Sequence, residues 1–260
     1  MTRSLSDATR LSRAFAAAAS LSLALVAAPA LAFDVTKMSD AERAAFQAEV
    51  RAYLLENPQV IMEAVAVLEN RQAVEQAKGD ADLLQVNAQD IFQDPASWVG
   101  GNLNGDVTLV EFVDYRCGYC KKAHDEVAEL IASDGNIRFV LKEFPILGDD
   151  SVLASRFAIA VRQIAGDDAY KAMHDALIER KGPISPQALG GMAVEAGLNA
   201  EAVLARMDSP EVTAVIAANH ALAQRLQING TPTFVVKDRL VRGYVPLEGM
   251  TQLVAEARVE

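Results

Sequence analysis

The chain has 260 residues, of which 51% are hydrophobic, and its 35 acidic against 24 basic side chains give a formal net charge of −11. An acidic chain without a cluster of Lys and Arg is a poor partner for nucleic acid or anionic membranes, so both are excluded as expected partners. The length is sufficient for one sizeable core and an accessory element.

Residues 1–32 have the pattern of a secretory signal peptide. Arg3, Arg10 and Arg13 give a positive start, residues 14–28 are apolar apart from two serines, and Ala-Leu-Ala ends at Ala32. A membrane anchor is the alternative, but about 15 apolar residues fall short of the roughly 20 that span a bilayer. The sequence therefore predicts cleavage after Ala32 and export to a bacterial periplasm.

Residues 33–93 are expected to form an N-terminal helical arm and a linker. Ser39 and Glu42 have the spacing of a capping box, and Asn57-Pro58 ends one helix and begins the next. The second helix has apolar side chains around much of its circumference, so it needs covering on more than one side. Either the arm packs on the main domain, or it joins copies of the chain through residues 33–80. The polar stretch 72–82, interpreted as a linker, favours the second interpretation.

The remaining pattern predicts a mixed α/β domain with a large helical insertion. Strands are expected at 107–113, 137–144, 232–236 and 240–244, and the first of them is apolar on both faces, as in a central strand. Ser-Pro pairs and Gly-Pro breaks divide residues 149–226 into helices. The main domain would then consist of residues 94–148 and 227–260.

The chain has only two cysteines, Cys117 and Cys120, which directly follow the predicted central strand and precede a helical pattern. In the first turn of a helix, free N–H groups and the helix dipole favour a thiolate, so Cys117 is the expected nucleophile. Arg116, Lys121 and Lys122 add positive charge. Cys120, one turn deeper, is the expected resolving thiol.

Three other interpretations of the pair compete: a zinc site, an inert disulfide, and two unrelated buried thiols, of which the last is favoured least. Cys117, Cys120 and His124 offer three candidate zinc ligands, but structural zinc usually has four ligands in two pairs, and the chain has no second cysteine pair. An inert disulfide would close a loop too short to constrain the unfolded chain. No metal and no cofactor are therefore expected.

Glu111 is the third candidate catalytic residue. It shares a strand face with Leu109 and Val113, so its carboxyl should be desolvated, and its pKa should be raised. We expect it to exchange protons with Cys120. The alternatives are a solvent-facing glutamate or a pair with Lys142, which could also belong to the same buried network.

Three segments together resemble the DsbA-like branch of the thioredoxin superfamily, and ScsC-type periplasmic proteins most of all. They are residues 111–120, ending in Cys-Gly-Tyr-Cys, residues 142–145, and residues 230–234 with Thr before proline. The resemblance covers about residues 98–260 and implies a thioredoxin fold with a helical insertion domain, preceded by a helical oligomerisation arm. The arm also resembles that of ScsC-type proteins, some of which trimerise.

The resemblance also implies site residues. Thr231–Pro232 would be a cis peptide against the cysteines, where its backbone receives the substrate together with Gly118 and Tyr119, and Glu111 would be the buried acid. The three histidines, His124, His174 and His220, match no catalytic position of the family and are interpreted as ordinary helix residues, and Trp98 as packing.

The predicted function is thiol–disulfide exchange on cysteine-containing exported proteins, with a membrane redox partner and a homo-oligomer, a trimer being favoured. Tyr119 stands where the strongest oxidants of the family carry His, which favours an isomerase or reductase over an oxidase of the DsbA type. A chaperone-like or surface-binding protein that retains the fold is the alternative from another class.

Overall fold

A computed structural model describes residues 35–259, so the predicted signal sequence lies outside the described residues. The chain divides into two compact units between Ala64 and Val65. The first unit contains a 3-10 turn, Val35–Lys37, helix α1, Asp40–Glu56, and the beginning of α2, Gln59–Val86. Helix α1 starts with the predicted capping box between Ser39 and Glu42 and has no buried residue.

The second unit contains the rest of α2 and a five-stranded sheet with helices on both faces. The sheet order is β1-β3-β2-β4-β5, with β2 and β3 parallel and the other neighbours antiparallel. The thioredoxin fold with a helical insertion is thereby confirmed. The strands are β1, Trp98–Gly101, β2, Val107–Val113, β3, Ile137–Glu143, β4, Thr233–Val236, and β5, Arg239–Arg242.

Helices cover the two faces of this sheet unequally. The larger core lies between one face and α4, α5 and α9, and the smaller one joins the other face to α3, α8 and the end of α2. Helices α5 to α8 connect β3 to β4 and form the predicted insertion. The helices of this unit after α2 are α3, Ala88–Phe92, α4, Gly118–Asp134, α5, Asp149–Glu179, α6, Pro186–Glu195, α7, Ala200–Met207, α8, Pro210–Arg225, and α9, Leu247–Val259.

Strand β1 was not expected, because its Gly-Gly pair resembles a turn. Both glycines lie in a strand that pairs antiparallel with β3. At Gly100 a Cβ atom would lie 2.0 Å from the ring of Trp98, so the missing side chain makes room for that ring. The indole then stacks on Tyr170 and donates to the Asp167 carbonyl at 3.1 Å, which agrees with a packing role.

The polar stretch 72–82, interpreted from the sequence as a linker, is helical, since α2 continues through it without a break. Asp80 at this level accepts two hydrogen bonds from Arg242 of β5, at 2.6 and 2.8 Å, and Leu84 is buried in the smaller core. Residues 72–79 are exposed, so their polarity indicates a solvent-facing surface of the helix. Within residues 35–259, no helix combines the length and the apolar character needed to cross a membrane.

Candidate active site

Cys117 is the N-cap residue of α4, directly after the turn that follows β2. Its sulfur accepts a hydrogen bond from the Cys120 backbone N–H at 3.4 Å, and its own N–H donates to the Asp114 carbonyl at 3.1 Å. The sulfur thus takes the place of a capping oxygen, where the partial positive charge of the helix start favours an anion. The expected strand–helix junction is present.

The two thiols, both free, differ strongly in their environment. The pKa of Cys117 is lowered from 9.0 to about 5, first because the Cys120 thiol donates to it and further because backbone N–H groups of Cys120 and Tyr119 point at it. The pKa of Cys120 is raised by that same hydrogen bond, by burial and by the charge of Glu111. Near neutral pH the first sulfur is therefore a thiolate and the second a thiol.

The Thr231–Pro232 peptide bond is cis, as the family resemblance implied, and it lies against Cys117. The Cys117 sulfur is 3.1 Å from the Thr231 carbonyl oxygen, to which the protonated thiol donates. Strand β4 begins at Thr233, opposite Phe112 of β2, and this pairing brings the proline loop beside the cysteines. The Thr231 hydroxyl is buried and has no hydrogen-bond partner among residues 35–259.

Glu111 is only 4% exposed, on the sheet face that carries the larger core. Burial, and secondly the charge of Cys117, raise its pKa from 4.5 to about 8. The carboxyl also lines a cavity of about 230 Å³ between the sheet, α4 and α5. It can therefore hold a proton near neutral pH.

The alternative pairing of Glu111 with Lys142 is wrong. In the register of β2 and β3, Glu111 lies opposite Leu141, so Lys142 points to the other face of the sheet. There its ammonium group lies 2.7 Å from both the Asp90 carbonyl and the Asp94 carboxylate. Side-chain alternation separates the two charges although their strands are neighbours.

Asp114, which the sequence interpretation did not single out, supports the cysteine turn from below. It is fully buried, and one carboxylate oxygen accepts from the Arg116 N–H at 2.7 Å and the Ser151 hydroxyl at 2.8 Å. The other accepts from the N–H groups of Ile146 and Leu147, at 2.8 and 3.0 Å. One side chain thus joins the turn, the loop after β3 and the start of α5. Its position directly after an apolar strand was the only sequence signal.

A second buried polar cluster surrounds Glu143, at the end of β3. Its carboxyl accepts from the hydroxyls of Tyr115 at 2.7 Å, Tyr170 at 2.6 Å and Ser155 at 2.7 Å. Burial raises the pKa of Glu143 to about 7. The Tyr115 hydroxyl also lies 3.0 Å from Nδ1 of His174, which is 3% exposed and whose pKa burial lowers to about 3. His174 is therefore a buried neutral histidine, unlike the ordinary helix residue expected.

The surface beside Cys117 is aromatic and exposed. Tyr119 is 62% exposed and stacks on Tyr244, with ring centroids 6.0 Å apart. The Lys122 ammonium lies 4.2 Å from the centroid of the Tyr244 ring. Lys121 instead donates to the Arg180 carbonyl at 2.7 Å, so its charge is directed towards α5. The three basic side chains of the motif thus do not converge on the sulfur.

The zinc ligands considered from the sequence are not brought together. Among the described residues, two groups of three possible metal ligands have their donor atoms within 4.8 Å of one another, and neither group contains a cysteine. One consists of His124, His174 and Asp175, and the other of His124, Asp125 and Glu179. Of the three candidate ligands, Cys117, Cys120 and His124, only His124 belongs to either group.

Comparison with known proteins gives two family matches. Residues 108–255 match the DSBA-like thioredoxin domain, and residues 42–75 match the copper resistance protein ScsC N-terminal domain. A thioredoxin-like oxidoreductase from Silicibacter pomeroyi DSS-3 is 45% identical, with 67% of this chain and 99% of that chain covered and a TM-score of 0.63. ScsC from Proteus mirabilis, in a transitional conformation, is 24% identical over 85% of this chain and 99% of its own, with a TM-score of 0.63, which shows the fold.

The chain also matches part of a longer protein. Na(+)/H(+) antiporter NhaA 1 from Salinispora arenicola is 31% identical over 160 residues, which are 61% of this chain and 24% of the antiporter. The chain thus spans about a quarter of the length of that curated relative.

Proposed function

Because this chain belongs to the DSBA-like thioredoxin family of thiol–disulfide oxidoreductases, we propose that it exchanges disulfides in exported proteins through Cys117 and Cys120. The observation that carries the proposal is the contrast between the two thiols. Cys117 is ionised and 7% exposed, whereas Cys120 is 1% exposed and protonated. In such a pair, one sulfur is a nucleophile that attacks the substrate, and the other is a resolving thiol that releases the mixed disulfide.

In the first step the Cys117 thiolate attacks a substrate disulfide. A new S–S bond forms between Cys117 and one substrate sulfur, the substrate S–S bond breaks, and the other sulfur leaves as a thiolate that takes a proton from water. The helix N-terminus stabilises Cys117 as the anion that this step needs.

In the second step Cys120 loses its proton and attacks the Cys117 sulfur. The mixed disulfide breaks, the Cys117–Cys120 disulfide forms, and the substrate leaves with both sulfurs reduced, a transfer of two electrons to it. Glu111 is the proposed proton acceptor, because its raised pKa lets it take up and release a proton near neutral pH. The reverse sequence of the same steps oxidises a substrate dithiol.

The substrate chain is proposed to lie beside the proline loop. The Thr231 carbonyl already contacts the Cys117 sulfur, and Pro232 follows it in the cis peptide. Gly118 has open space at its Cα and Tyr119 is exposed, so both can contact a peptide without rearrangement. This surface suits an unfolded segment that carries a cysteine.

For the direction we propose disulfide isomerisation or reduction. Isomerisation needs Cys117 in its reduced form, and a thiol pKa of about 5 stabilises that form. The same pKa also suits a dithiol oxidase, because a stable reduced form makes a pair oxidising; this is the second candidate. The reduction potential against glutathione and the refolding of scrambled ribonuclease with reduced protein separate the two. An oxidase has a high potential and leaves scrambled ribonuclease inactive.

The N-terminal arm is proposed to join copies of the chain, as a trimer. Residues 42–75 match the ScsC N-terminal domain, and α1 has no buried residue in a single chain. An arm of this kind would present several cysteine pairs to one substrate. Large apolar side chains of the arm are exposed, namely Phe46, Val50, Tyr53, Leu55, Ile61, Met62, Val65, Val67 and Leu68.

We further propose a periplasmic location and a membrane thiol–disulfide partner that restores the pair after each net reduction or oxidation of a substrate. Export is supported by the signal pattern of residues 1–32. The partner follows from the electron balance, since each reduction or oxidation leaves the cysteine pair in the opposite state.

The decisive experiment is the Cys117→Ser variant in insulin reduction and in refolding of scrambled ribonuclease. Both activities should be lost, whereas Cys120→Ser should still attack and accumulate a mixed disulfide with the substrate. Full activity of Cys117→Ser would refute the redox assignment. If that variant only suppressed aggregation as well as the parent protein does, the chaperone-like alternative would be favoured.

A further inference from the structure

One group of side chains outside the cysteine chemistry has the composition of a metal site. His124 on α4 and His174 and Asp175 on α5 each offer a donor atom, and these atoms lie within 4.8 Å of one another. His124 Nε2 is already 3.2 Å from an Asp175 carboxylate oxygen. In a tetrahedral site with bonds of about 2.1 Å, ligand atoms are about 3.4 Å apart. The group therefore needs only a small contraction around an ion.

A hydrogen bond fixes the ring of His174 in the way that is usual for metal-binding histidines. The Tyr115 hydroxyl donates its proton to Glu143, so its oxygen accepts the Nδ1–H of His174, at 3.0 Å. The other nitrogen, Nε2, then carries a free lone pair. The residue is 97% buried and lines the cavity beside Glu111. An oxygen acceptor behind the ring fixes the tautomer of a metal-binding histidine in the same way.

The cavity supplies the space that such a site requires. Its volume of about 230 Å³ is bordered by His124, His174, Glu111 and Lys171, which is enough for a metal-bound water and further solvent. The other group of candidate ligands, His124 with Asp125 and Glu179, consists mostly of exposed carboxylates and has no buried member. The group that contains the buried His174 is accordingly the better site, and two of its three members, His124 and His174, line the cavity.

We propose that His124, His174 and Asp175 bind a divalent transition-metal ion of the Zn²⁺ type, with water from the cavity completing its coordination. Two imidazoles and a carboxylate with an open position match the ligand preferences of Zn²⁺. Lys171 competes with the ion, because its ammonium group lies 2.7 Å from both Asp175 oxygens. Its side chain is 38% exposed, so it can move into solvent when the ion binds.

Calorimetric titration of the full chain with Zn²⁺ tests the site. The protein is stripped with a chelator and oxidised beforehand, so that Cys117 and Cys120 form a disulfide and cannot bind the metal. We expect one ion per chain. His124→Ala and Asp175→Asn should each weaken binding at least about tenfold, as loss of a ligand does. Lys171→Gln should tighten it, because the competing cation is removed.

Two controls make the result decisive. His220→Ala removes the one histidine outside the site and should leave the affinity unchanged, and Glu179→Gln should do the same. A 15N NMR spectrum should show the His174 Nε2 resonance shifting with Zn²⁺ in the parent protein. Absence of binding, an effect of Glu179→Gln in place of Asp175→Asn, an unmoved His174 resonance or weaker binding in Lys171→Gln would each overturn the proposal.

Discussion

The carbonyl oxygen of Thr231 lies 3.1 Å from the sulfur of Cys117, across 114 positions of the chain. Pairing of β4 with β2 places the proline loop against the N-terminus of α4 and so creates this contact. Peptide backbone and reactive sulfur therefore share one surface, and changes on either side of the contact should alter the chemistry of the other.

Thr231→Val should raise the pKa of Cys117 above about 5. The Thr231 hydroxyl is buried and has no partner among residues 35–259, so it can donate to the sulfur once the thiol has ionised, and this hydrogen bond contributes to the lowered pKa of Cys117. Loss of a hydrogen bond to a charged group costs about 1.5 kcal/mol or more, which corresponds to a pKa increase of about one. The ultraviolet absorbance of the thiolate, recorded as a function of pH, measures the pKa of Cys117.

The matched control is Thr233→Val, since that hydroxyl donates to the Gly230 carbonyl at 2.8 Å and not to the sulfur. It should lower stability while leaving the Cys117 pKa unchanged. Equal pKa values in the parent protein and Thr231→Val would mean that the hydroxyl does not stabilise the thiolate.

Glu111→Gln should change how the stability of the reduced protein depends on pH. The folded pKa of about 8 exceeds the ordinary 4.5, so the unfolded state loses this proton first and stability falls as pH rises from about 4.5 to 8. The difference between the two pKa values corresponds to a loss of at most about 5 kcal/mol in the free energy of unfolding. The glutamine variant should regain this stability near pH 8. Urea unfolding at several pH values measures this, with exposed Glu129→Gln as the control.

Cys117 acts in the opposite direction over an overlapping range. Its folded pKa of about 5 lies below the ordinary 9.0, so the unfolded state keeps its proton longer and stability rises between these pH values. In Glu111→Gln the fall due to Glu111 should be missing, and in Cys117→Ser the rise due to Cys117 should be missing, whereas the fall due to the raised pKa of Glu143 remains in both variants. Parallel curves for these two variants would contradict the assigned pKa shifts.

Glu111→Gln should also slow the resolving step. Without the carboxylate, Cys120 loses its proton acceptor, so the mixed disulfide should persist about a hundredfold longer, the lower end of typical general-base effects. Rapid acid quenching followed by mass analysis of the trapped complex measures its lifetime, while the initial attack by Cys117 should keep its rate. An unchanged lifetime would exclude Glu111 as the proton acceptor.

Asp114→Asn should destabilise the reduced protein by about 2–4 kcal/mol. The side-chain amide of Asn keeps one acceptor oxygen but replaces the other with an NH2 donor. At least one of the buried backbone N–H groups that now donate to the two carboxylate oxygens is therefore left unsatisfied. Asp150→Asn, at an exposed position whose carboxylate lies 3.9 Å from Arg116, is the control and should have little effect. Equal unfolding midpoints for the two variants in urea would refute the role of Asp114.

Phe46→Ser combined with Val50→Ser should reduce the proposed trimer to a monomer. Both side chains are exposed in α1, at 49% and 41%, and apolar groups of this kind need a partner surface. Light scattering measures the mass, and insulin reduction should be unaffected. Glu49→Ser, on the same helix, should leave the mass unchanged. These substitutions are preferable to deleting residues 33–80, because Asp80 is hydrogen bonded to Arg242 of the sheet domain.

The features that depend on local order could be predicted from the sequence. The spacing of Cys117 and Cys120 after an apolar strand predicted the strand–helix junction, and the thioredoxin fold with its helical insertion followed from the family motifs. Ser39 and Glu42 likewise fixed the start of α1, since a capping box needs only four consecutive residues.

Contacts between distant groups could be read only from the folded chain. The register of β2 and β3 directs Lys142 away from Glu111, and α2, which continues through the polar residues 72–82, meets β5 through the hydrogen bonds between Asp80 and Arg242. Burial also converts His174, which looked like an ordinary helix residue, into a neutral side chain facing a cavity. Burial and long-range pairing are properties of the whole packed chain, and therefore no local pattern contains them.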